Sequence, residues 1–105
     1  MKLYHVCANY DGGDLMTAAR MMGELEAIES YVAKWPEAGE LAAAHVNMIH
    51  LHETIDQARE FAAIYGGAVL EIDAEYLDVV VDSLEYPHPV CTSTIDAEYI
   101  TMMVA

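Results

Sequence analysis

Apolar positions along this chain follow two rhythms, one of strands and one of helices. Leu3-Tyr4-His5-Val6-Cys7-Ala8 is rich in strand formers and runs into Asn9-Tyr10-Asp11-Gly12-Gly13, a turn signal with two glycines. Leu15, Ala18, Met22, Leu25, Ile28 and Val32 then recur at spacings of three and four, the stripe of one helix, with Asp14 placed to cap it. Gly23 costs that helix about 1 kcal/mol relative to Ala. Pro36 ends it by driving Trp35 out of helical geometry, and itself suits the first position of a second helix reaching about Val46. A strand over 48–52 follows. Thr54-Ile55-Asp56-Gln57 has the form of a capping box, and Ile55, Ala58, Phe61, Ala62 and Tyr65 mark a buried helical face that Gly66-Gly67 stops.

The remainder reads as strands over 68–72, 77–81, 90–94 and 99–104, with Pro87 and Pro89 placing their stretch at an edge or in a loop. The order is βααβαββ with further β. That predicts an α+β domain spanning residues 1–105, with two to three helices, rather than alternating βαβ units. Nothing in the pattern marks a repeat or a linker.

Composition changes this picture in two ways. Hydrophobic residues make up 55% of the chain, so it folds despite its acidity. Its 18 Asp and Glu face four Lys and Arg, a formal charge of −14, and no Lys or Arg follows Arg59. Affinity for nucleic acid rests on basic side chains neutralising phosphates, so direct binding to it is not expected. No apolar run approaches the roughly 18 residues that span a bilayer, and Met1-Lys2-Leu3-Tyr4-His5 does not open a signal peptide. Cys7 and Cys91 are too few and too far apart for a disulfide framework, which predicts reduced thiols and a cytoplasmic protein.

Several groups of residues carry candidate chemistry. His50 and His52 lie two apart on a strand and share a face, with His5, His45 and Glu53 as further metal-ligand types. No recognised ligand spacing links them, so no metal is expected. Cys7 and His5 share a strand face without an orienting third group, and Cys7 reads better as a small core residue. Ser30, Ser83 and Ser93 lack the context of a nucleophile. Gly12-Gly13 would offer amides to an anion, but Asp11 and Asp14 flank it.

Taken together, the opening Leu3-Tyr4-His5-Val6, the His50-Leu51-His52-Glu53-Thr54 entry to a helix, Leu70-Glu71-Ile72-Asp73, and Glu85-Tyr86 before Ile95-Asp96-Ala97-Glu98-Tyr99-Ile100 resemble the small ADP-ribosyltransferase-like domains, relatives of the RNA 2′-phosphotransferases. The resemblance implies an α+β fold with a small split antiparallel sheet clamping NAD, the substrate, in a central cleft. It implies that His5 holds the adenosine-side ribose, that His50 stands where the family has a tyrosine, that Phe61 stacks on nicotinamide, and that Glu85 orients the reacting sugar. A fixed carboxylate is the group that would stabilise the oxocarbenium-like state formed as nicotinamide leaves. His50 for tyrosine, Val6 after His5 and the shortage of bases for the pyrophosphate depart from the family pattern and would suit a non-catalytic member.

Two functions follow as expectations. One is an NAD-dependent transfer of ADP-ribose to an acceptor, with Glu85 and His5 catalytic and His5, His50 and Phe61 binding the dinucleotide. The other is a non-enzymatic acidic module, of the kind phage inhibitors use, that presents Glu71, Glu75, Asp78, Asp82, Glu85, Asp96 and Glu98 to a basic protein partner.

Overall fold

Local signals decide where the elements begin and end. A computed structural model describes residues 1–77, 79–81 and 89–103. Strand β1 (Lys2–Cys7) leads through the glycine turn to two short helices, α1 (Ala18–Met22) and α2 (Glu24–Lys34). A 3₁₀ segment (Pro36–Leu41) and α3 (Ala42–His45) follow, then β2 (Ile49–His50), α4 (Ile55–Tyr65) and β3 (Ala68–Asp73). After a 3₁₀ turn (Ala74–Tyr76) come β4 (Val79–Val81), β5 (Pro89–Cys91), a further 3₁₀ turn (Ala97–Tyr99) and β6 (Ile100–Met102).

The strands form two antiparallel sheets, ordered β1-β3-β6 and β2-β5-β4. Backbone bonds stitch them together: Tyr4 N donates to His52 O at 2.9 Å and His52 N donates to Tyr4 O at 2.6 Å. A second bridge joins Leu15 to Ile95. Leu70 and Ile72 of β3 are fully buried and meet Leu3, Ile49, Leu51, Cys91 and Ile95 in the main core cluster. The domain is therefore α+β, as the pattern predicts, and its antiparallel strands are divided between two small sheets.

The helices depart from expectation. Asp14 does not cap α1: its Oδ1 accepts from Ala97 N at 2.7 Å, and the cap of α1 is Thr17, whose Oγ1 accepts from Arg20 N at 3.3 Å. The single predicted helix is two, divided at Gly23, whose φ of 91° lies in the left-handed region that glycine alone enters freely. Met22 and Leu25 of the expected stripe are exposed, Leu25 to 80%, so that stripe does not face one core. The second predicted helix is likewise broken: its first part is a 3₁₀ segment with a non-helical residue at Gly39, and only Ala42–His45 is α-helical. Four helices therefore replace the expected two to three among the described residues.

Helix α4 matches its prediction at both ends. Gln57 N donates to Thr54 Oγ1 at 3.2 Å, Thr54 N donates to Gln57 Oε1 at 3.4 Å, and Gly66 follows the last residue. Pro89 sits neither at an edge nor in a loop. It opens β5, the central strand of its sheet, where the first position tolerates a residue without N–H and the carbonyl accepts from Leu51 N at 2.9 Å. Neither cysteine is in a disulfide with the other: Cys91 is buried, and Cys7 packs half-buried against the core. Among the described residues no helix is long and apolar enough to cross a membrane.

Candidate functional site

Alternation along 49–52 sends Ile49 and Leu51 into the core and leaves His50 and His52 half-buried on the opposite side. There both histidines line a cavity of about 520 Å³, a size typical of small-molecule sites. β1 contributes His5 and Val6 to its wall, α3 contributes His45, and α4 contributes Phe61 and Tyr65. The end of α2 adds Tyr31, Lys34 and Trp35.

Two runs of rings build the walls. On one side Tyr31 stacks on His45, centroids 5.2 Å apart and planes 10° apart, and His45 leans on His50 at 5.1 Å. His45 Nδ1 and His50 Nε2 are 3.3 Å apart, a hydrogen bond when one carries the proton and the other the lone pair. On the other side His52, Phe61, Tyr65 and Trp35 follow one another at 5.5, 4.6 and 5.0 Å. Such tilted and edge-to-face contacts are the geometry aromatic quadrupoles favour.

His5 ties the imidazole wall to β1. Its Nδ1 lies 2.7 Å from His50 O. A carbonyl oxygen only accepts, so Nδ1 carries the proton and the neutral ring keeps Nε2 as an acceptor. Burial pushes the His5 imidazole below its ordinary pKa; the bond to the His50 carbonyl works the other way, and charge on His52 adds to the lowering. His5 is thus neutral at neutral pH.

The site's electrostatics invert those of the chain. Among the described residues lining the cavity there is no Asp or Glu, and Lys34 is the one Lys or Arg. A second cavity, about 510 Å³ and lined by residues such as Arg59, Gly67, Val69 and Met103, holds neither imidazole nor aromatic ring among its described lining residues.

Of the residues singled out from sequence, His5, His50 and Phe61 converge on the first cavity, and so do His45 and His52. Glu85 lies outside the described residues, as do Asp78, Asp82, Ser83, Tyr86 and Pro87. Cys7 faces the core cluster, so the Cys7–His5 pair is not part of this site. In the Gly12-Gly13 turn the Gly13 amide is already engaged, donating to Asp11 Oδ1 at 2.9 Å. Among the described residues no three His, Cys, Asp or Glu are grouped to hold a metal ion.

Sequence reasoning missed Tyr31, Lys34, Trp35 and Tyr65 as residues of this site. A signal was available for one pair, because Phe61/Tyr65 is an i, i+4 aromatic pair within a predicted helix, which places both rings on one helical face. Protein-family models, characterised proteins and solved structures yield no match to this chain.

Proposed function

We propose that the ring-lined cavity binds NAD and that the chain is an ADP-ribosyltransferase-like domain transferring ADP-ribose to an acceptor. The observation that carries this reading is the meeting of His5, His50 and Phe61, from two strands and a helix, in one cavity. The neutral His5 suits a ribose hydroxyl, because Nε2 accepts while Nδ1 is held by the His50 carbonyl. The Phe61, Tyr65 and Trp35 faces suit planar rings, and Lys34 supplies the base that the pyrophosphate needs. Glu85 would stabilise positive charge on the sugar as nicotinamide leaves.

Calorimetry with NAD tests the reading. Saturable heat is expected for the wild type, with affinity about three- to tenfold weaker in His5→Ala, the worth of one lost hydrogen bond. Nicotinamide release that disappears in Glu85→Gln would assign the transfer chemistry to that carboxylate. No heat at millimolar NAD would overturn the reading. The −14 charge would then favour an acidic module seeking a basic protein, whose association slows steeply as salt rises.

A further inference from the structure

Lys34 makes an unusual choice of partner. The chain holds 18 carboxylate side chains, yet among the described residues none pairs with the Lys34 ammonium, whereas Lys2 Nζ lies 3.8 Å from Glu71 Oε1. Lys34 Nζ instead lies 5.7 Å from the Trp35 ring centroid and 5.7 Å from that of Tyr65. These rings meet edge to face, 67° apart in plane. An ammonium within about 6 Å of an aromatic centroid is attracted by the ring quadrupole, weakly enough at an exposed site to be displaced. Lys34 is exposed. The protein's own cation therefore occupies a two-ring cation site in the cavity wall.

We propose that Trp35 and Tyr65 form a cation site that Lys34 fills in the free protein and that a pyridinium ring of the ligand takes over, the released ammonium then pairing with the same ligand's phosphate. This rests on the dinucleotide reading, since the nicotinamide ring of NAD is such a cation. Three features favour the exchange. The field of a −14 chain draws cations inward. Phe61, 4.6 Å from Tyr65, extends the ring surface for a flat cation rather than a compact one. Lys34 is also the one Lys or Arg among the described lining residues, so a phosphate entering with the ring finds its counter-charge there.

Trp35 is the one tryptophan of the chain, so pyridinium quenching of its fluorescence reports on the site directly. The probes are 1-methylnicotinamide, which has the cation without a phosphate, and nicotinamide mononucleotide, which has both. They are titrated into wild type, Lys34→Met and Lys34→Arg, with NAD calorimetry on the same samples. We expect saturable quenching by 1-methylnicotinamide, tightened about two- to fivefold in Lys34→Met and not in Lys34→Arg, which keeps a cation over the rings. That factor corresponds to about 0.5–1 kcal/mol for an exposed cation–ring contact. The preference for the mononucleotide over 1-methylnicotinamide should shrink in Lys34→Met. If NAD binds but 1-methylnicotinamide does not quench, or Lys34→Met does not tighten it, the exchange is overturned and the dinucleotide reading survives. If 1-methylnicotinamide behaves as expected while NAD gives no heat, the cation site stands and the dinucleotide reading falls. Absence of both signals overturns both.

Discussion

The neutral ring of His5 links a single side chain to the stability of the fold. In the unfolded chain this imidazole takes a proton near pH 6.5, its ordinary value, whereas burial holds it below that in the folded protein. Below about pH 6.5 the unfolded state therefore binds the extra proton and gains free energy, so the stability contributed by His5 is present above that pH and is lost as pH falls toward the lowered folded value. Urea midpoints measured between about pH 7 and 5.5 should fall with acidification in the wild type and fall less steeply in His5→Gln; parallel slopes would refute the assignment. His45 shows the limit of reading at this scale. It is 5% exposed and stacked on Tyr31, but its neighbours Ala44 and Val46 do not distinguish a buried imidazole from a surface one. His50 and His52 were legible because strand alternation places them on one face.

Elements were legible where their control is local. The α4 capping box and its glycine stop involve groups within a few residues, and both appear as the sequence implies. The break at Gly23 was visible only as a cost, because about 1 kcal/mol decides nothing until packing shows whether a continuous helix would bury its stripe. Asp14 was misread for a related reason: a short carboxylate serves a helix amide or any nearby backbone N–H equally well, and Ala97, distant in sequence, supplies the donor. Gly67 makes a sharper demand. Its φ is 112°, and a Cβ there would stand 3.0 Å from Val6 Cγ1 and 3.1 Å from Cys7 O, at the junction where α4 passes into β3 beside β1. Gly67→Ala should cost about 1–3 kcal/mol through positive-φ strain and crowding, seen as a lower urea midpoint; an unchanged midpoint would contradict that packing. Gly23→Ala lacks the crowding, since nothing lies within 4 Å of its added Cβ.

For the whole molecule, charge is the dominant fact. A −14 chain of 105 residues repels itself, and screening relieves the compact state more than the expanded one. The thermal midpoint should rise by a few degrees between about 0.01 and 0.3 M salt, as the Debye length shrinks from about 30 Å to below 8 Å; a flat or falling midpoint would mean the acids are locally compensated. The acidic positions were countable in advance, but not that the described walls of the main cavity would be free of them. By itself the sequence determined the α+β class, helix α4 with its caps and the alternation of His50 and His52, since all of these depend on neighbours a few residues apart. Only the tertiary structure decided that β1 bridges to His52, that α2 and α4 bring Trp35 against Tyr65, and that Lys34 rests on those rings. These contacts join segments distant along the chain. They arise from burying one apolar core between two sheets, which no local pattern encodes.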